Sequence, residues 1–278
     1  MAGADTGRFR SHAGGAEAQR SRGRRLMWPL AGLHWITPQW PAPANVQAVT
    51  TLRGVVDAVD PYSGFNLAHH VNDNAQRVQR NREMLGQALD LTPVQWLDQV
   101  HGIDVVDARD DGRTRCADAA YTMQKNLACA VLTADCLPVI FCNRDGTEAA
   151  VAHAGWRGLC AGVLESSVRR FKSPPSQLVA WLGPAIGPQV FEIGPEVRVA
   201  FLAATPQLSQ QIDACFVENP RRANHYFADL YQLARLRLQH VGVDAVFGGG
   251  FCTFSDPRFY SFRRASVTGR LATCLVLR

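Results

Sequence analysis

No stretch of the 278-residue chain approaches the roughly 18 consecutive apolar residues that a membrane-spanning helix requires. None of the eight cysteines stands in a C-x-x-C pair, and several lie inside apolar runs (Cys129, Cys142, Cys274). That pattern excludes a zinc ribbon and argues against a disulfide scaffold; it predicts buried free thiols in a reducing cytoplasm. Glycine and proline, at 23 and 15 residues, are too few for a collagen-like or low-complexity chain. GxGxxG and Walker spacings are missing, so Gly248-Gly249-Gly250 receives no nucleotide-binding role. The formal net charge of +5 is concentrated in residues 1–26, which hold six Arg and two acids. The remainder is close to neutral, which removes the electrostatic argument for a nucleic-acid partner.

What is present is an ordinary globular composition, 47% hydrophobic and 19% charged, without internal repeats or a linker. Residues 1–26 read as a disordered basic tail and residues 27–278 as one folded domain. Arg20–Arg25 followed by LMWPLAGLHWI has the outline of a signal peptide, but Pro29 and His34 interrupt the apolar part and no small-residue cleavage site follows. Strands are predicted at 45–56, 94–107 (with a pivot at His101-Gly102), 127–132, 138–142, 147–153, 178–182, 245–247 and 271–277. Helices are predicted from Asp73-Asn74 to Leu89, with Val78, Leu85 and Leu89 on one face, and at 158–171, 196–204 and 229–241. The tight hairpin around Asn143-Arg144-Asp145-Gly146 rules out an all-parallel sheet. The fold class is therefore α+β with mixed sheets.

The strongest chemical signal is Thr133-Ala134-Asp135-Cys136 followed by Val151-Ala152-His153-Ala154-Gly155-Trp156-Arg157-Gly158. With 143–146 as the hairpin loop, Cys142 pairs with Thr147 and Cys136 lies opposite His153. Opposed residues share a face, with Cβ atoms about 4.5–5.5 Å apart. A thiolate and an imidazole so placed can share a metal ion, or the imidazole can take the thiol proton; a buried cysteine and an unrelated surface histidine is the plainer alternative. The turn at 154–158 enters a helix, whose exposed N–H groups and Arg157 suit an anion, although Gly155 and Gly158 also satisfy a tight turn alone. Adjacent His69 and His70 would face opposite ways on a strand, so at most one serves a site. His101, beside Gly102, is either catalytic or structural. Arg263 and Arg264, with Thr268-Gly269-Arg270 close behind, suit phosphate or carboxylate, or merely a solvated face.

NLAHHVNDN, QVHG, LTADCLPV, VAHAGWRG, WLGPAIGP, FEIGPEV and SFRR…TGR occur in that order from about Trp28 to the C-terminus. In this the chain resembles the laccase-domain family, also called multicopper polyphenol oxidoreductase or peptidoglycan editing factor. Its members are described as purine nucleoside phosphorylases with adenosine deaminase and methylthioadenosine phosphorylase activity. The resemblance implies a layered α/β/β/α sandwich. It also implies zinc ligands at His70, Cys136 and His153, with His69 facing away, and purine nucleosides and phosphate as substrates. Ala68 departs from the family's usual glycine. The copper-oxidase label fails on ligand supply. A trinuclear centre needs about ten histidines, mostly in H-x-H pairs, and the chain has eight His and no H-x-H. Zinc suits the site better, with copper able to enter in vitro. The H-x-E and P-C-x-x-C signature of nucleobase deaminases is also missing.

The function expected is zinc-dependent phosphorolysis of adenosine, inosine and methylthioadenosine, with adenosine deamination as a side activity. His101 or Asp135 would manage the proton, and Arg157, Arg263 or Arg264 would hold phosphate. A cysteine hydrolase or deamidase using Cys136 and His153, or an editor of cell-wall precursors, is the alternative. Removal of residues 1–26 is expected to leave activity and folding intact; a large loss of either in the truncated protein would overturn the domain division.

Overall fold

The computed structural model describes residues 33–278, apart from 55, 56, 58 and 92, so the tail expected at 1–26 lies outside the described residues. In chain order the strands are β1 (Trp35–Ile36), β2 (Val46–Thr51), β3 (Val94–Gln95), β4 (Leu97–Asp98), β5 (Val105–Asp107), β6 (Arg115–Cys116), β7 (Ala119–Thr122) and β8 (Ala128–Thr133). They continue with β9 (Leu137–Asn143), β10 (Ala149–Ala154), β11 (Leu178–Leu182), β12 (Glu192–Ile193), β13 (Phe216–Glu218), β14 (Tyr226–Ala228), β15 (Ala245–Gly248) and β16 (Leu271–Leu277). The helices are α1 (Ala75–Leu89), α2 (Trp156–Ala161), α3 (Val163–Arg170), α4 (Pro195–Ala204), α5 (Ser209–Asp213) and α6 (Leu230–His240). None is long and apolar enough to cross a membrane.

Two mixed sheets dominate, one in the order β1-β2-β16-β8-β3 and one in the order β15-β11-β9-β10-β7-β5. Strand periodicity sets the layers. On β9, Ile140 and Cys142 face the other sheet and pack with Val131 of β8 and Leu275 and Leu277 of β16. Leu137, Val139 and Phe141 face outward, against Leu159, Leu164 and Leu233 of the helices α2, α3 and α6. On β8, Ala128, Ala130 and Leu132 point the other way, onto Leu85 and Leu89 of α1. The result is helix, sheet, sheet, helix, the sandwich implied by the resemblance. Strands buried on both faces explain the nearly continuous apolar runs of β8, β9 and β16.

Several local expectations need correction. The β9–β10 hairpin pairs Cys142 with Ala149 and His153 with Pro138, two residues away from the register expected from the loop 143–146. The cause is Asn143, whose Oδ1 accepts the N–H groups of Thr147 and Glu148 at 2.8 and 3.0 Å and lengthens the loop. The helix expected at 158–171 is two helices, because Gly162 takes φ 108° and breaks the run between α2 and α3. The strand expected at 94–107 is three short strands around an irregular loop that contains His101. The first helix agrees with expectation: the Asn74 side chain caps it by accepting the Arg77 N–H at 3.0 Å, and Val78, Leu85 and Leu89 are buried.

The outer helices are tied by an internal ion pair. Arg237 of α6 donates from Nε to Glu165 of α3, and from Nη1 to Thr205 Oγ1 at 2.7 Å, with both charged residues buried. Removing one partner strands the other charge. Arg237→Met is expected to cost about 3–5 kcal/mol in denaturant unfolding, and Arg237→Met with Glu165→Leu to recover much of it. Equal stability of Arg237→Met and wild type would refute the assignment.

Candidate active site

The site is assembled by a carboxylate that no motif marks. Asp118, fully buried between β6 and β7, faces the irregular loop after β4. Its Oδ2 accepts the N–H groups of Val100 and Gly102 at 3.1 and 2.6 Å, and its Oδ1 accepts the His101 N–H at 3.0 Å. Oδ1 also accepts from His153 Nδ1 at 2.8 Å, while the Asp118 carbonyl accepts the His153 N–H at 2.7 Å. Burial would raise the Asp118 carboxyl, but the bonds from His153, Gly102 and Val100 outweigh it and hold the group below the ordinary carboxylate value. An ionised carboxylate can only accept, so His153 Nδ1 carries the proton and Nε2 is left free for a metal or for Cys136.

Cys136 reaches His153 by a different route from simple strand opposition. It lies just outside β9, after a turn in which Asp135 adopts φ 94°. That strained conformation is held from three sides: Asp135 Oδ1 accepts from Thr253 Oγ1 at 2.6 Å, Oδ2 from the Arg263 N–H at 2.6 Å, and the Asp135 carbonyl from the Ile186 N–H at 2.9 Å. The half-buried Cys136 thiol is thus presented to two imidazoles. His101 Nε2 is 3.7 Å from Cys136 Sγ, and the His101 and His153 rings meet edge-on at 4.7 Å. Burial pushes the Cys136 thiol up, but the charge of His153 and hydrogen bonds from both histidines bring it well below a free thiol. His153 moves the opposite way: burial disfavours its charge, and the Cys136 thiolate and Asp118 restore it.

His101, Cys136 and His153 each offer a ligand atom within 4.8 Å of the other two, so the group can hold a metal ion. The structure does not bring His70, the ligand implied by the resemblance, into this three-donor group. His70 lies on the single 3₁₀ turn His69–Val71, solvent-exposed. Desolvation, then the Arg270 charge, lower its basicity. His69 is exposed on the same turn.

The glycines of AGWRG have a steric purpose beyond a tight turn. A Cβ on Gly155 would lie 2.6 Å from His101 Cδ2 and 3.1 Å from Cys136 Sγ, and one on Gly158 would lie 2.8 Å from the Gly102 carbonyl oxygen. Both permit the His101 loop to rest on the start of α2. Arg157 is exposed, with its guanidinium 4.4 Å from the Trp156 ring centroid. Arg263 donates from Nη1 to the Glu192 carbonyl at 3.0 Å, and Arg264 donates to the carbonyls of Thr253, Phe254 and Phe259. Asp135, expected to handle a proton, has both carboxylate oxygens engaged as described. Asp118 escaped sequence reasoning altogether; its one signal is an acid isolated among alanines in the buried-looking stretch CADAAYT.

Because Asp118 fixes both the His153 tautomer and the His101 loop, Asp118→Asn is expected to weaken metal binding about 10–100-fold, measured by competition against a chelator. An unchanged metal affinity would show that the carboxylate does not organise the site.

Comparison with known proteins agrees with this architecture. The model of the family described as multi-copper polyphenol oxidoreductase laccase matches residues 46–278. Purine nucleoside phosphorylase PA4543 of Pseudomonas aeruginosa is 51% identical over 246 residues, covering 87% of this chain and 98% of its own. Purine nucleoside phosphorylase YfiH of Escherichia coli K12 is 48% identical, with the same coverage of 87% and 98%. Among solved structures, Neisseria meningitidis protein NMB0706 superposes with TM-score 0.81 at 44% identity, covering 87% of this chain and 98% of that one. YlmD from Geobacillus stearothermophilus gives TM-score 0.77 at 27% identity, covering 84% and 93%. With its sandwich of two mixed sheets and its ordered motifs, the chain belongs to the multi-copper polyphenol oxidoreductase laccase family, alongside relatives that bear the name purine nucleoside phosphorylase.

Proposed function

We propose that this enzyme is a zinc-dependent purine nucleoside phosphorylase of the cytoplasm. It cleaves adenosine, inosine and methylthioadenosine with phosphate, releasing the purine and a ribose 1-phosphate, and deaminates adenosine as a side reaction. The observation that carries this reading is the cluster of thiolate and imidazoles locked by Asp118, in a chain 51% identical to a named purine nucleoside phosphorylase.

The donor set fits zinc. Tetrahedral zinc with nitrogen and sulfur ligands places neighbouring donors about 3.4–3.7 Å apart. Cys136 and His153, two of the three ligands in this reading, offer donor atoms within 4.8 Å of each other. Three protein ligands leave one position open, the pattern of catalytic rather than structural zinc. When bound, the ion supplies Lewis acidity at that open position. Cys136, His153 and His70 hold it in this reading, His70 closing from its exposed turn with the neutral imidazole that ligation needs. His101, next to the thiolate and open to solvent, handles the proton that the departing purine gains as phosphate attacks the ribose C1′. Oxidase chemistry at a trinuclear copper centre lacks ligands, since the described residues bring a single group of three donors together.

The test is purified protein with adenosine, with and without phosphate, tracking adenine, hypoxanthine and ribose 1-phosphate, alongside metal analysis of alanine variants. Phosphate-dependent adenine release is expected without added copper. About one zinc per chain should be bound, lost in His70→Ala, Cys136→Ala and His153→Ala but kept in His69→Ala and His101→Ala. Zinc lost in His101→Ala and kept in His70→Ala would make the tighter group the ligand set. Metal-free, phosphate-independent activity blocked by alkylation of Cys136 would replace the whole reading with a cysteine hydrolase.

A further inference from the structure

Resting on the phosphorylase reading, we infer that Arg270 holds the phosphate co-substrate, and that the arginines which stand out in the sequence, Arg157, Arg263 and Arg264, do not. Arg270 immediately precedes β16, whose Leu271 pairs with Thr133 at the end of β8. One step further along this antiparallel register, Arg270 falls beside Ala134, two residues before Cys136. On its other side it is clamped to the segment that carries His70. Asn66 Oδ1 accepts the Arg270 N–H at 2.9 Å, and the Leu67 N–H donates to the Arg270 carbonyl at 3.4 Å. Asn66 is fully buried, and its amide also binds Asp73 Oδ2 at 2.8 Å, so this joint is rigid. The backbone of Arg270 therefore sits between the two segments that deliver Cys136 and His70.

The side chain is set for an anion. Nη1 donates to the carbonyls of Thr268 and Gly269 at 2.8 and 3.1 Å, which fixes the guanidinium plane. Among the described residues no protein acceptor engages Nε or Nη2, and Arg270 takes part in no ion pair. Nε and Nη2 form one edge of the guanidinium, whose two parallel N–H groups match two oxygens of a phosphate. Burial lowers the basicity of Arg270, while the charges of Cys136, Asp135 and Tyr62 pull it the other way. A half-buried charge without a counter-ion is costly, and a bound anion offsets that cost. Arg82, stacked 4.0 Å over the Trp96 ring centroid, adds a second positive charge near His70.

The rivals are all solvent-exposed, whereas Arg270 is half-buried. Arg264 spends Nη1 and Nη2 on backbone carbonyls of its own loop. Arg263 spends Nη1 on the Glu192 and Val190 carbonyls and lies over the Phe191 ring, much as Arg270 spends Nη1 on carbonyls and lies 5.8 Å from the Phe262 centroid; the two differ in depth, Arg263 being exposed and Arg270 half-buried. Arg157 stands exposed on the Trp156 ring.

The experiment compares zinc-loaded wild type with Arg270→Gln, Arg270→Lys and Arg157→Ala. Inorganic phosphate binding is measured by calorimetry, and the KM values for phosphate and adenosine are measured separately. Zinc content and Tm are followed in parallel. Arg270→Gln is expected to raise the phosphate Kd and KM at least about tenfold, while adenosine KM stays within about twofold and zinc is retained. Arg270→Lys, which keeps the charge but loses the two-toothed edge, should fall between, and Arg157→Ala should shift phosphate binding less than either. Should Arg270→Gln not fold, Arg270→Lys decides, and a phosphate affinity equal to wild type would overturn the inference. Wild type that neither binds phosphate nor needs it for turnover would instead overturn the phosphorylase reading, and this inference with it.

Discussion

The carboxylate of Asp118 is the constraint on which the site depends. One buried anion accepts from three successive backbone N–H groups, Val100 to Gly102, and from the ring of His153. It therefore sets the conformation of one loop and the tautomer of a histidine on a different strand. His101 occupies the left-handed region, with φ 60°, a conformation a non-glycine residue holds when its surroundings over-determine it. The four bonds to Asp118 are those surroundings. An uncompensated carboxylate at this depth would be expensive, so the loop and the carboxylate stabilise each other.

A second carboxylate does equivalent work on the cysteine side. Asp135 turns the chain just ahead of Cys136 and the start of β9, and its bonds to Thr253 and Arg263 couple that turn to the C-terminal loops. The Cys136 thiolate and the His153 imidazole then meet where each favours the charged form of the other, at the ends of β8 and β10. Gly155 and Gly158 complete the assembly by leaving room for the His101 loop, where any side chain would collide. The neighbouring cations divide the remaining tasks by bonding. Arg264 staples a loop, and Arg270 is positioned by backbone bonds and retains an unspent edge.

The catalytic reading joins these pieces, with His70 moving in from its exposed turn. In this reading a metal held at the cluster, a solvent-facing His101 and a fork of N–H groups on Arg270 would supply a Lewis acid, a proton carrier and an anion grip. Phosphorolysis through an oxocarbenium-like transition state needs the last two, a placed anionic nucleophile and a proton for the leaving purine. The rigidity of the supporting shell, with Asn66 and Asp118 both fully buried, favours preorganised binding of both substrates.

Much of the fold was legible in the residues themselves. Burial on both faces writes long apolar runs, and β11 and β16 fall at the predicted positions because such runs end sharply at polar residues. Asn74 and Asp229 cap α1 and α6 as their side chains dictate. The pairing of Cys136 with His153 was also legible, although the register argument behind it was wrong by two residues. A local side-chain network at Asn143 decided the loop length, and a turn at Asp135 restored the proximity. Nothing local announces Asp118, because an aspartate among alanines looks the same whether it meets water or three N–H groups. That His101 rather than His70 joins Cys136 and His153 in the three-donor group was likewise decided only in three dimensions. Periodicity and capping act over a few residues and can be read along the chain. A charge satisfied by partners 16 to 35 residues away exists only once the sheets have brought those partners together.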